Sequence, residues 1–164
     1  MRVYLPATLP IVRALHATGE LRAPLTAFAV TPALRESYAS GDAEELEYAA
    51  FANAARAALR LLDADPTALP RRVVISADLD DRAITPLSHL DPAAVRVGAA
   101  VSLDQVAAVH VDDAVAEQDV RAAADAILVA ELGSDDAQFT VDSAEGHELQ
   151  WYAVQELGAL IDSL

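Results

Sequence analysis

Val3–Leu15 reads V-Y-L-P-A-T-L-P-I-V-R-A-L: an extended apolar run, a hydroxyl residue, a proline, then apolar residues at helical spacing. The phrase returns as F-A-V-T-P-A-L-R-E-S-Y at Phe28–Tyr38 and, more loosely, as W-Y-A-V-Q-E-L-G-A-L-I at Trp151–Ile161. Capping chemistry accounts for it without any catalytic demand. A Thr hydroxyl accepts from the free N–H groups of a helix start, and proline is tolerated in the first turn, where no N–H is needed. Arg2–Leu5 is thus expected as a strand and Leu9–Thr18 as a helix capped by Thr8 and ended by Gly19. Thr26–Val30 and a helix opening at Thr31-Pro32 repeat the unit. Early strand–helix alternation implies parallel pairing through right-handed crossovers. Closer strands in the second half imply some antiparallel pairing. The expected fold is a single globular α/β domain over residues 1–164, with a mixed, partly parallel sheet and helices packed on it.

Further along, Asp42–Asp63 carries the clearest helical pattern, with Asp42 and Glu45 placed as a capping box and Pro66 beyond its end. At 100° per residue, Leu46, Ala50, Phe51, Ala54, Ala57, Ala58, Leu61 and Leu62 form a broad apolar arc. Glu47 points near its middle. A carboxylate there is either a general acid or base with a raised pKa, or is paired with Arg2, Arg35 or backbone donors. Pairing is the plainer account, and it predicts that Glu47 is at least half buried and bonded to an arginine. Arg72–Ala77 reads as a buried strand, Asp78–Pro92 as an irregular connection, and Val95–Val101 and Ala107–Val111 as strands. Asp113–Glu131 reads as a helix, Gln138–Val141 as a short strand, Glu148–Tyr152 as a strand and Val154–Leu164 as a terminal helix.

Composition narrows the function classes. Hydrophobic residues make up 54% of the 164 and charged residues 23%, which excludes a disordered chain. All eleven positive charges are arginine, against 26 acids, for a net charge of −15. That field repels phosphate backbones and anionic membranes, so no nucleic-acid or membrane partner is expected. The absence of cysteine removes disulfides, thiolate metal sites and cysteine nucleophiles. No basic n-region and no apolar run of membrane length stand near the start, so a cytoplasmic location is expected.

No phosphate loop, dinucleotide fingerprint, zinc-protease motif or nucleophile elbow is present. The most suggestive constellation is V-H-V-D-D at Val109–Asp113. Alternation puts His110 and Asp112 on one strand face, where imidazole and carboxylate suit one divalent cation. A-D-L-D-D would add Asp78 and Asp80 if the two strands were parallel neighbours. Helix capping and turn formation explain the same residues more simply. Trp151, Tyr152, Gln155 and Glu156 form a second cluster, either lining a pocket or interface, or closing the core under the terminal helix.

The phrases V-Y-L-P-A-T, A-F-A-V-T-P-A-L-R-E, V-A-A-V-H-V-D-D and W-Y-A-V-Q-E-L, in that order, resemble a family of uncharacterised actinobacterial proteins of about this length. The resemblance implies a domain of unknown function and carries no activity, cofactor or catalytic residue. The leading expectation is a small binding or interaction protein without catalytic activity or cofactor, a small homo-oligomer whose protein or small-molecule partner is unknown. The alternative is a metal-assisted hydrolase or phosphoesterase built on His110, Asp112, Asp78 and Asp80.

Overall fold

A computed structural model describes residues 1–164. The elements run β1 (Arg2–Ala7), α1 (Leu9–Thr18), β2 (Glu20–Leu21), β3 (Leu25–Phe28), α2 (Pro32–Ser37), α3 (Ala43–Ala64), β4 (Val73–Asp78), β5 (Ile84–Pro86) and β6 (Ala94–Val97). They continue as β7 (Val101–Ser102), β8 (Val106–Asp112), α4 (Glu117–Glu131), α5 (Asp135–Glu145), β9 (Leu149–Tyr152) and α6 (Leu157–Asp162), with short 3₁₀ turns between some of them. Seven strands form one sheet in the order β5-β6-β3-β1-β4-β8-β9, while β2 and β7 pair separately.

Capping places the helices as expected at two starts. Thr31 Oγ1 accepts from Leu34 N at 3.0 Å, and Asp42 Oδ1 accepts from Glu45 N at 2.8 Å. Thr8 differs, because its side chain caps nothing although Pro10 sits in the first turn of α1. Gly19 ends that helix in the left-handed region, φ 81°, with its N–H donated to Leu15 O. That conformation suits glycine because it lacks Cβ.

The sheet corrects the expected partly parallel pairing: every neighbouring pair is antiparallel. The reason is where β1 sits. The crossover through α2 and α3 does join two strands of the same direction, β3 and β4, but β1 occupies the place between them and runs against both. Strand–helix alternation gives direction only after strand order is known. The expected strand at Gln138–Val141 is also corrected, since these residues lie inside α5. Ser134 Oγ accepts from Ala137 N, Asp135 and Asp136 favour the helix start, and Val141 and Ala144 bury against α4. Cap and packing outweigh the weak strand preference of that segment.

Both faces of the central strands are buried. Val3, Leu5 and Ala7 of β1, Val73, Ile75 and Ala77 of β4, and Val109 and Val111 of β8 share a core with Leu9, Val12 and Leu15 of α1 and Leu157 and Leu160 of α6. On the opposite face, Tyr4, Phe28 and Val74 meet Leu46, Ala50 and Ala54 of α3. Farther along α3, Leu59 and Leu62 leave the sheet and pack on Val120, Ile127 and Val141 of α4 and α5.

One buried ion pair fixes the junction of these parts. Arg72 donates from Nε and Nη2 to the two oxygens of Asp112 at 2.7 and 2.8 Å, and its backbone N–H donates to the same carboxylate at 2.8 Å. Arg72 Nη2 also donates to His147 O at 3.0 Å, on the approach to β9. Both side chains are closed to solvent. Removing one partner from such a pair leaves an uncompensated buried charge, so Asp112→Ala is expected to cost about 3–5 kcal/mol. Asp112→Asn, which keeps an acceptor for the guanidinium, should cost less. Urea unfolding of both variants measures the difference, and an alanine variant as stable as the parent would remove this junction from the account.

Candidate functional site

The α3-facing side of the sheet is a grid set by register. Tyr4 pairs with Ser76 and Ser76 with Ala108, while Val74 pairs with His110 and His110 with Trp151. Tyr4, Ser76, Ala108, His110 and Trp151 therefore project from one face of four adjacent strands. Pairing slips between Ser76 and Ala77, where β8 carries the extra residue Ala107, so a bulge lies beside this row. Over the row pass the first turns of α3, carrying Glu44, Glu47, Tyr48 and Phe51. Between helix and sheet lies a cleft of about 290 Å³ to which Arg2 also contributes.

Ring geometry organises the cleft. Phe51 meets Tyr4 edge to face, centroids 5.8 Å apart at 83°, and meets His110 at 4.9 Å and 81°. Trp151 stands 60% exposed and Tyr48 71% exposed on its rim. Ser76 Oγ and His110 Nε2 lie 2.9 Å apart and share a hydrogen bond whose donor follows the imidazole tautomer. Burial, aided by the Arg2 guanidinium, holds the His110 imidazole below the ordinary histidine range. The Tyr4 phenol is pushed up, chiefly by burial and next by the Glu47 carboxylate. Arg2 donates from Nε and Nη2 to Asp78 at 2.7 and 3.1 Å, and that bonding lowers the Asp78 carboxyl.

Glu47 corrects the expectation of a half-buried, arginine-bonded carboxylate. It is exposed and makes no ion pair or hydrogen bond, although its charge is felt at Arg2 and Tyr4. The helical phase holds; what is missing is packed protein beneath it, because the cleft opens there.

The four residues considered as metal ligands do not converge. His110 and Asp112 share a face, but Arg72 occupies both Asp112 oxygens. Since β4 and β8 are antiparallel, Asp78 lies at the end of β4 far from Asp112, about 20 Å at 3.3 Å per residue. Asp80 faces Arg82, which donates from Nη2 at 2.8 Å and lowers its carboxyl. No group of three or more His, Asp or Glu stands where it could hold a metal ion.

The Trp151 cluster is split by strand alternation. Trp151 faces the cleft, whereas Tyr152 pairs with Val109 and packs on the α1–α6 core. Gln155 and Glu156 are exposed on the following 3₁₀ turn, away from the cleft. Tyr4, Tyr48 and Ser76 are not among the residues that the sequence singles out, and Arg2 and Phe51 stand there only as a possible partner of Glu47 and as part of an apolar helix face. The available signal is the second face of β1 and β4, where R-x-Y and S-x-D interrupt otherwise apolar strands.

A neighbouring cavity of about 390 Å³ shares Tyr48 and Phe51 with the cleft. Its basic groups are already engaged, Arg56 with Gln138, Arg72 with Asp112 and His147 with Asp119, while of its two glutamates Glu145 lies 3.8 Å from Arg56 and Glu148 is exposed without a partner. As chemistry, the cleft offers rings, a neutral imidazole and free carboxylates. Ser76 is 2% exposed and sits within a strand ladder, and His110 Nδ1 has no orienting partner, so the Ser–His pair lacks the surroundings of an activated nucleophile.

The model of DUF6912, a family of unknown function, matches residues 1–161, and the chain belongs to that family. No curated protein and no solved structure matches it.

The lowered His110 value has a pH consequence. Between that value and the unfolded value of about 6.5, the unfolded chain binds a proton that the folded chain does not. Folding stability therefore decreases as pH falls below about 6.5 and stops decreasing from this source below the folded value. Urea unfolding between neutral and mildly acidic pH should show a shallower decline for His110→Gln than for the parent. Equal slopes would mean that His110 titrates normally.

Proposed function

We propose that this member of DUF6912 is a small-molecule binding protein of the cytoplasm whose ligand occupies the cleft between α3 and the sheet. One observation carries the reading. The chain has one Trp, four Tyr and three Phe, and Tyr4, Tyr48, Phe51 and Trp151 all line this cleft. Aromatic residues are 5% of the sequence, so this concentration is not a by-product of composition. Exposed rings around a concave site supply contact area at little entropic cost, and a few polar groups orient what they hold. That no helix is long and apolar enough to cross a membrane is consistent with the location. A metal-assisted hydrolase is the weaker reading, because Arg72 takes the oxygens that Asp112 would offer a cation.

Trp151 is the sole tryptophan, so its emission reports on this cleft alone. Titration with a panel of small cationic, neutral and anionic aromatic or alkyl compounds is expected to give at least one saturable change. Phe51→Ala should weaken that binding by roughly tenfold, the order expected for one contacting ring. A panel without any saturable response overturns the reading.

An interaction role through self-association is favoured by a different surface. Leu128 and Val129 of α4, Leu132 in the turn after it and Phe139 of α5 are exposed large apolar residues on the helical hairpin. On that reading light scattering shows a mass above monomer that falls in Leu132→Glu. A monomer at high concentration refutes it.

A further inference from the structure

Resting on the cleft as a ligand site, we propose that its ligand is a small organic cation, an alkylated ammonium group held against perpendicular rings beneath a carboxylate rim. Charge argues first. The only cationic side chain lining the cleft is Arg2, and Asp78 neutralises it through two hydrogen bonds. Glu44 and Glu47 line the same cleft, are exposed, and have neither ion-pair nor side-chain hydrogen-bond partners. Arg35 lies across a neighbouring hollow on the other side of Glu47, and no ion pair joins them. The remaining titratable walls stay uncharged at neutral pH, since the imidazole is held low and the phenol is pushed up. Two carboxylates thus face the cleft without compensation.

Donor supply argues the same way. An anionic ligand needs N–H or O–H donors, best of all charged ones. The one cationic donor here, the Arg2 guanidinium, is turned to Asp78 through Nε and Nη2, which leaves the Ser76–His110 pair and the Tyr and Trp side chains as neutral donors. A quaternary ammonium needs none. It needs ring faces, whose π-clouds are negative, and nearby carboxylates. Tyr4, Phe51 and His110 stand in succession at 83° and 81° to one another. In corners between perpendicular rings, a group touching the edge of one meets the face of the next. Trp151 and Tyr48 add two exposed rings at the mouth. The volume, about 290 Å³, is at the low end for ligand sites and suits a compact head group. The net charge of −15 draws cations toward the protein and disfavours anions.

Trp151 fluorescence, checked by calorimetry, tests this with three probes: choline, the uncharged alcohol with carbon in place of its quaternary nitrogen, and benzoate. Choline is expected to bind saturably, and the alcohol and benzoate at least about tenfold more weakly. Glu47→Gln, a change at an exposed and unpaired position, should weaken choline several-fold while leaving the alcohol unchanged. Phe51→Leu should weaken choline as well, with circular dichroism and thermal unfolding confirming the fold of both variants. Equal binding of the alcohol, tighter binding of benzoate, or indifference to Glu47→Gln overturns the cation class and leaves the cleft a ligand site. Silence toward choline while other compounds of the wider panel bind does the same. Silence toward every compound overturns both.

Discussion

The central strands carry apolar side chains on both faces, and the chain covers those faces unequally. One face lies under α1 and α6, which meet the strands along a continuous core. The other receives mainly α3, a single helix roughly 33 Å long at 1.5 Å per residue. A lone helix crosses a seven-stranded sheet as a bar and leaves strands beside it bare. Where β1, β4, β8 and β9 emerge beside its first turns, the side chains on that face include Arg2 and Tyr4, Ser76, His110 and Trp151, in contrast to the Val, Leu, Ile and Ala of the face under α1 and α6. The cleft follows from that incomplete cover, and its polarity from the water that the missing layer admits.

Arg72 and Asp112 hold the boundary of this arrangement. They sit where β4 begins and β8 ends, and a buried charge pair is tolerated there because both carboxylate oxygens and the backbone N–H are engaged. The bond to His147 O ties the approach to β9 into the same network, which places Trp151 opposite His110 rather than one residue out of register. A slip of one residue would turn Trp151 to the α1–α6 side and Tyr152 into the cleft.

Much of the local structure was legible because it is decided locally. The caps at Thr31 and Asp42, the long helix over α3 and the buried strand at β4 all follow from residues within a few positions of each other. What failed depends on distant chain. Strand direction required knowing that β1 lies between β3 and β4, which no periodicity records. Glu47 was placed on the correct side of its helix, but a helical wheel gives a direction and not what fills it. The same holds for His110 and Asp112, whose shared face was legible while Arg72, forty residues earlier in the chain, was not paired with Asp112. Within the site, Trp151 stands out as the sole tryptophan, whereas Tyr4 and Ser76 sit inside strands whose other residues are mostly apolar.

The helix α3 belongs to two cores at once, its early turns to the sheet and its later turns to the α4–α5 hairpin. A helix is stiff along its axis, so neither core can rearrange alone without tilting the other's wall. The hairpin is therefore a remote handle on the cleft: a partner or substitution that shifts Leu59 and Leu62 against α4 also swings the end that carries Glu47 and Phe51.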